Sequence, residues 1–142
     1  MFLGEYEHSL DDKFRITLPK RFRDEFEEGG VMAKALDGCL ALYTTQEWGS
    51  VADQARELSR RGKREREVAR NFFSGASDFR LDKQGRFAIP SNLRQYAELG
   101  KEVVVVGVSS RVEIWDGGRW EDRASRVDED LTNAEDLPDF GI

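Results

Sequence analysis

Residues 10–23 of this chain read LDDKFRITLPKRFR, and residues 81–94 read LDKQGRFAIPSNLR. When the two stretches are aligned without a gap, five of their 14 columns are identical: a leucine, an aspartate, a proline and two arginines. Two unrelated segments of this length would share about one residue at ordinary frequencies. The chain therefore contains an internal repeat, and the architecture of one copy should recur in the other.

Both copies predict the same succession of turn, strand and short helix. Arg15–Leu18 and Arg86–Ile89 alternate polar with apolar residues, or nearly so, as half-buried strands do. A proline then closes each strand and suits the first position of a helix, and Gly29 and Gly100 suit the left-handed residue that follows a helix. Two more strands are expected in each copy. The run Val103–Val106 is apolar on both faces, which predicts a central strand.

A predicted helix follows each copy. Thr44 and Glu47 have the spacing of a capping box, and Asp116 can cap the second helix. From about Asp128 the chain is acidic and poor in large apolar side chains, so we expect it to fray or to be disordered. The expected class is α+β, mainly β, with a first module over residues 5–47, a helical connector over 48–75, a second module over 76–119, and a C-terminal helix with an acidic tail over 120–142.

The start of the chain and the repeat resemble the MraZ family, within the wider SpoVT–AbrB group. That family begins Met-Phe-x-Gly-x-Tyr, as Met1–Tyr6 does here, and carries Leu-Asp-x-Lys-Gly-Arg twice, each time before an apolar strand and a proline. The resemblance implies duplicated AbrB-like swapped-hairpin β-barrel modules, built by the two halves of one chain with flanking helices, and subunits that associate into rings. It also implies a sequence-specific DNA-binding transcriptional regulator, expected to repress, that binds short direct repeats upstream of the division and cell-wall gene cluster, its own gene included.

The first copy departs from this pattern at one position. Phe14 stands where the family motif, and Gly85 in the second copy, have glycine. If the position takes a positive φ, a phenylalanine there costs about 1–2 kcal/mol of backbone strain. We therefore expect the first turn to be reshaped, which would move Lys13 and Arg15.

The net charge of the chain is −6, which taken as a whole disfavours nucleic acid as a partner. The charges are unevenly distributed, however. Acidic residues crowd the segment after Arg123, whereas lysine and arginine crowd Lys13–Arg23 and Arg56–Arg70. Because phosphate responds to the local field of one face, the distribution keeps DNA open as a partner.

Eight basic residues of the repeat are the candidates for DNA contact. Each copy has an arginine that leads its strand, and a guanidinium can bind phosphate or guanine through two hydrogen bonds. The alternative for these two is an ion pair with the aspartate four residues earlier, and the alternative for the arginines on the short helices is a structural role. The basic run 56–70 contains interleaved glutamates, which favours a solvated helical face. The candidates are Arg15, Lys13, Lys20, Arg21, Arg23, Arg86, Lys83 and Arg94, and the first copy, which has more of them, is expected to bind phosphate more strongly.

The sequence contains no catalytic set, and we expect neither an enzyme nor a cofactor. His8 is the only histidine, and Cys39 has no partner for a disulfide or a thiolate metal site. The aspartates that begin the turns are better explained by bonds to their own backbone than by a metal site. The three tryptophans are expected to pack in the core or between subunits. With no apolar run of membrane-spanning length and no secretory start, we expect a cytoplasmic, nucleoid-associated protein without membrane contact.

Two functions of different classes remain open on the sequence. One is a regulator whose partner is double-stranded DNA. The other is an AbrB-type antitoxin, or a protein-interaction module, that uses the acidic tail to hold a toxin. Two modules and a short tail favour the regulator. Because a module of about 45 residues buries too little surface to be stable alone, we also expect a homo-oligomer larger than a dimer.

Overall fold

Strands and short helices alternate along residues 1–133, the part of the chain that the computed structural model describes. These elements confirm the α+β class. Two short 3-10 turns, Asp24–Phe26 and Leu36–Gly38, complete the order. The strands are β1 (Phe2–Ser9), β2 (Arg15–Thr17), β3 (Gly30–Ala35), β4 (Cys39–Thr44), β5 (Ser77–Phe79), β6 (Arg86–Ala88), β7 (Glu102–Ser109) and β8 (Arg111–Asp116). The helices are α1 (Lys20–Arg23), α2 (Thr45–Ser59), α3 (Lys63–Gly75), α4 (Ser91–Tyr96) and α5 (Gly117–Thr132).

The two copies of the repeat exchange strands. Six strands form an antiparallel sheet in the order β1-β7-β8-β4-β3-β5, and β2 pairs with β6 in a separate two-stranded ribbon. Strand β1 of the first copy pairs with β7 of the second along its whole length, while β5 of the second copy pairs with β3 of the first. The expected modules 5–47 and 76–119 therefore complete each other, as in the swapped arrangement that the resemblance implied.

An aromatic chain links the two copies inside the core. The ring of Phe2 lies 5.2 Å from that of Phe22 and 5.4 Å from that of Phe26. Phe26 in turn lies 5.5 Å from Phe79 of the second copy, and Phe79 lies 4.6 Å from Phe87 of the ribbon. Pairs of aromatic rings at these distances stabilise a core beyond the burial of their area. The chain of rings therefore ties the first strand, the first helix and the ribbon together.

Both faces of the sheet are covered. Val103 and Val105 of β7 point into the main core, which the ribbon and the short helices close, whereas Val104 and Val106 point to the far side. On the far side α5 packs on the sheet through Trp120, and α2 and α3 pack on a second cluster around β3 and β4. The expectation that β7 is an interior strand with two apolar faces is confirmed.

The side chains on the far face confirm the packing expected for the tryptophans. The rings of Trp115 and Trp120 lie 5.6 Å apart, and Trp48 stacks on Phe72 at 5.4 Å. Cys39 is fully buried in the same layer, and burial raises the pKa of its thiol to about 12. Its role is that of a small apolar residue. None of the helices in residues 1–133 has the length and apolar character needed to cross a membrane.

Helix boundaries confirm the expected caps and correct two other expectations. Thr44 accepts a hydrogen bond from the Glu47 amide at 3.2 Å, and Asp116 accepts one from the Arg119 amide at 3.3 Å. After α4, however, the left-handed residue is Glu98, with φ of 52°, because the helix ends at Tyr96, four residues before Gly100.

The second correction concerns the end of α5. The expectation of a frayed chain from about Asp128 is wrong as far as Thr132, because α5 continues to that residue. The capped, docked first turn of the helix supplies its nucleus, and each residue added to a nucleated helix gains one backbone hydrogen bond. The rest of the expected tail, residues 134–142, lies outside the described residues.

Truncating the middle of the aromatic chain tests its importance. Phe26→Ala should lower the free energy of unfolding by about 3–5 kcal/mol, since Phe26 is fully buried and its ring contacts both copies. Leu36→Ala is the control, because Leu36 is 86% exposed, and its cost should stay within about 0.5 kcal/mol. Urea denaturation measures both. Equal costs for the two variants would contradict the proposed importance of the rings.

Candidate nucleic-acid interface

The ribbon of β2 and β6 has one face in the core and one face in solvent. Its middle residues, Ile16 and Phe87, are buried in the main core. Because side chains alternate along a strand, the flanking residues point the other way. Arg15 and Arg86 lie on this outward face, and their side chains are 30% and 29% exposed.

The register of the ribbon brings the two arginines together. Arg15 lies opposite Ala88, and Thr17 lies opposite Arg86. Arg15 and Arg86 are therefore diagonal neighbours, at a separation of about 7–8 Å in an antiparallel pair. Thr17 shares their face, and sequence reasoning missed it. The alternation in Arg15–Thr17 was the signal that would have found it.

An aspartate at the start of each turn holds the arginine that follows it. Asp11 Oδ1 accepts the backbone N–H groups of Lys13 at 2.9 Å and Arg15 at 2.8 Å, while Oδ2 accepts Arg15 Nε at 2.7 Å. Asp82 binds the Arg86 amide and Nε at 2.9 Å each. The backbone N–H of the arginine is the main cause that lowers the pKa of each aspartate.

These ion pairs leave part of each guanidinium available. Asp11 and Asp82 bind only Nε of Arg15 and Arg86, and the two terminal nitrogens make no bond with residues 1–133. The alternative suggested by the sequence, an ion pair at four-residue spacing, is thus present in both copies. It orients the guanidinium and leaves the two terminal N–H groups free to meet an oxygen pair on a ligand.

The turn at Phe14 is the same as its counterpart, so the expectation of a reshaped turn is wrong. Phe14 has φ of 59° and Gly85 has φ of 79°. The amide of Phe14 donates to Asp11 O at 2.9 Å, and that of Gly85 donates to Asp82 O at 3.0 Å. The aspartate bonds impose the left-handed conformation, which phenylalanine adopts with its strain of about 1–2 kcal/mol.

Two of the candidate arginines brace the ribbon across the repeat. Arg23 Nε donates to Leu18 O at 2.9 Å, and its side chain occupies the space that a Cβ on Gly85 would need. Arg94 donates to the carbonyl oxygen of Ile89, and its guanidinium carbon lies 3.6 Å from the centroid of the Phe14 ring. Each arginine thus packs on the turn of the other copy, which gives both a structural role.

The remaining candidates surround the ribbon. Lys13 and Lys83 are exposed in the two turns, and Lys20 is exposed at the start of α1. Arg21 donates from Nη1 to the Tyr6 hydroxyl at 3.0 Å. No group of three or more histidine, cysteine, aspartate or glutamate side chains in residues 1–133 is placed to hold a metal ion.

The second basic run lies elsewhere. It belongs to α2 and α3, which pack on the far face of the sheet. Three of its arginines pair with acidic residues of their own helix, among them Arg60 with Glu57 at 3.2 Å. This pairing supports the interpretation of the run as a solvated helical face.

The aspartates of the turns should make stability depend on pH. A carboxyl group whose pKa is lowered by folding stabilises the protein above its ordinary pKa, and this contribution is lost as pH falls through the lowered value. The difference in free energy of unfolding between wild type and the Asp11→Ala/Asp82→Ala variant should be constant from pH 7 to about 5. It should become smaller below a pH of about 4. Urea midpoints at several pH values measure it.

The neighbouring aspartate supplies the control for this experiment. Asp12 lies in the same turn, and its side chain makes no hydrogen bond within residues 1–133. Asp12→Ala should therefore show no such narrowing of its difference from wild type. A gap for the double variant that stays constant down to pH 3 would refute the role assigned to Asp11 and Asp82.

Comparisons with known proteins agree with this duplicated architecture. The family model described as "MraZ protein, putative antitoxin-like" matches residues 1–71 and again residues 72–137. Transcriptional regulator MraZ of Moorella thermoacetica is 48% identical over 143 aligned positions that cover 100% of both chains. The protein of the same name from Pediococcus pentosaceus is 46% identical over 143 positions, again with 100% of both chains covered. The chain belongs to the MraZ family.

Proposed function

We propose that this protein is a transcriptional regulator that binds double-stranded DNA through the outward face of the ribbon. The observation that carries the proposal is the meeting of Arg15 and Arg86 on one exposed face, each oriented by an aspartate. The major groove admits a two-stranded antiparallel ribbon. The relatives that are 48% and 46% identical are named transcriptional regulators, which supports the same function here.

The basic residues divide into three roles in this proposal. Arg15 and Arg86 read base edges, since the free N–H groups of a guanidinium match the two acceptors of guanine. The residues in the turns and at the start of α1 contact phosphate and set the register on the duplex. The arginines that brace the ribbon keep its shape and add positive charge. The phosphate set is Lys13, Lys20, Arg21 and Lys83, and the bracing pair is Arg23 and Arg94.

The target and the assembly form the finer part of the proposal. The protein represses transcription in the nucleoid by binding short direct repeats upstream of the division and cell-wall gene cluster and of its own gene. Several subunits in a ring present one ribbon each, and direct repeats match subunits that all face the same way. Linked ribbons gain affinity because the first contact raises the effective concentration of the next.

Replacing the two arginines tests DNA binding. Arg15→Ala and Arg86→Ala should each weaken binding by about 1–3 kcal/mol per subunit if the arginine reads a base. Arg15→Ala should weaken binding more than Arg86→Ala, because the arginine of the first copy has more basic neighbours. Stability should change little, since Asp11 still accepts two backbone N–H groups after the guanidinium is removed. Fluorescence anisotropy with a duplex from upstream of its own gene, at one fixed salt concentration, measures affinity.

A matched control separates the ribbon from the second basic run. Arg60→Ala removes an arginine of an exposed ion pair at the C-terminal end of α2, and it should leave the affinity for the duplex unchanged. Melting curves for all three variants monitor folding. The proposal fails if Arg15→Ala lowers the melting temperature while its folded fraction binds DNA normally, or if Arg60→Ala weakens binding as much.

The mass of the particle in solution tests the assembly. Light scattering at micromolar concentration should give a mass larger than that of a dimer. A monomer would exclude the ring. A plain dimer that binds no duplex would instead favour an antitoxin or protein-interaction module, the function class that the description of the family also names.

A further inference from the structure

We infer that Phe14 reads thymine, through contact between its exposed ring and the 5-methyl group of a thymine in the major groove, next to the base read by Arg15. This inference rests on the proposed function and adds a base preference to it. It concerns a residue of this chain's own first copy, because the matching position of the second copy is Gly85.

The turn itself does not require a phenylalanine at position 14, although the ring also supports Arg94. Its side chain is 47% exposed and stands outside the main core. The turn is formed equally well by Gly85, which has the same hydrogen bonds and a similar positive φ without a side chain. A bulky aromatic residue in the left-handed region is unfavourable. A residue with a strained backbone and an exposed ring outside the core is expected where the ring contacts a ligand.

The ring is also held in place. The guanidinium carbon of Arg94 lies 3.6 Å from the ring centroid, so the cation covers one face of the ring. Arg94 is itself fixed by its bond to the carbonyl oxygen of Ile89. The uncovered part of the ring remains open to solvent. An ordered ring binds with little further loss of side-chain freedom, which favours a specific contact over a loose one.

The surroundings of the ring match the proposed ligand. Phe14 precedes Arg15 in sequence and shares a shallow groove with two cations, Arg94 and Lys101, and with two carboxylates, Asp11 and Asp12. Arg15 binds the carboxylate of Asp11. Duplex DNA combines phosphate charge with one apolar group on base edges in the major groove, the 5-methyl of thymine. The exposed ring can meet the methyl group, and the two cations beside it can meet phosphate.

The second half of the ribbon lacks this contact. Arg23 occupies the space that a Cβ on Gly85 would need, and the positive φ of Gly85 disfavours a side chain there as well. The two halves of the ribbon therefore offer similar arginines but different neighbours. Only the part of the DNA site that faces the first copy of the repeat should therefore require thymine.

Removing the methyl groups of the DNA tests the inference directly. The same duplex from upstream of the gene is made once with thymine and once with uracil, which lacks the 5-methyl group. Wild-type protein should bind the uracil duplex roughly fourfold more weakly for each methyl group that the ring of Phe14 covers. Phe14→Gly should bind both duplexes equally. This variant should fold, because Gly85 takes the same conformation in the matching turn.

A control variant and three outcomes complete the experiment. Val127→Ala changes a partly exposed apolar residue on α5, on the far side of the sheet, and should keep the sensitivity of wild type to the methyl group. Strong wild-type binding that is equal on both duplexes would overturn the inference and leave the proposed function intact. If Phe14→Gly still binds the uracil duplex more weakly than the thymine duplex, another residue contacts the methyl group. That result would overturn the inference as well. Failure of wild-type protein to bind either duplex would overturn the proposed function itself.

Discussion

The pairing of β2 with β6 is the constraint on which the outward face depends. These three-residue strands come from different copies of the repeat, and within residues 1–133 each has only the other as a partner. Two further bonds extend the pair, from Leu18 N to Gly85 O at 2.9 Å and from Ile89 N to Phe14 O at 3.0 Å. A slip of one residue would bury the arginines and expose Ile16. The register that fills the core is therefore also the register that presents the charge.

The two basic regions of a chain whose net charge is −6 lie on opposite sides of the sheet. The ribbon and its turns lie on one side, and the acidic helix α5 lies on the other with α2 and α3. Three of the six arginines in residues 56–70 pair with acidic residues three positions away. The arginines of the ribbon are therefore separated by the sheet both from the acidic helix and from the second basic run.

Much of this arrangement followed from local patterns. The alternation in Arg15–Leu18 predicted which side chains face outward, and the spacing from Asp11 to Arg15 suggested the ion pair as the alternative to a DNA contact. Other features depend on contacts that a local pattern does not encode. Register within the ribbon joins residues 71 positions apart, as Ile16 and Phe87 are, and this register decides that Thr17 shares the face of the two arginines.

Where local expectations were wrong, a neighbouring contact decided the outcome. Phe14 was expected to reshape its turn, but two backbone N–H groups bound to Asp11 hold it in the conformation of Gly85. Gly100 was expected to be left-handed because it is a glycine, but α4 ends at Tyr96 and Glu98 takes that conformation, with the Leu99 amide donating to Arg94 O at 3.0 Å. In both cases hydrogen bonds to the surrounding backbone N–H groups outweigh the intrinsic preference of the residue.

The exchange of strands also sets the order in which the protein can form during synthesis. Phe2 pairs with Ser109, so the strand that covers β1 leaves the ribosome long after it. At about 5–20 residues per second the delay is roughly 5–20 s. For that time the first half of the nascent chain exposes an unpaired edge, and a second nascent half on the same messenger could occupy it. Once β7 emerges, its covalent link to the first copy favours pairing with β1 of the same chain. A shorter delay would therefore leave fewer newly made chains paired with one another.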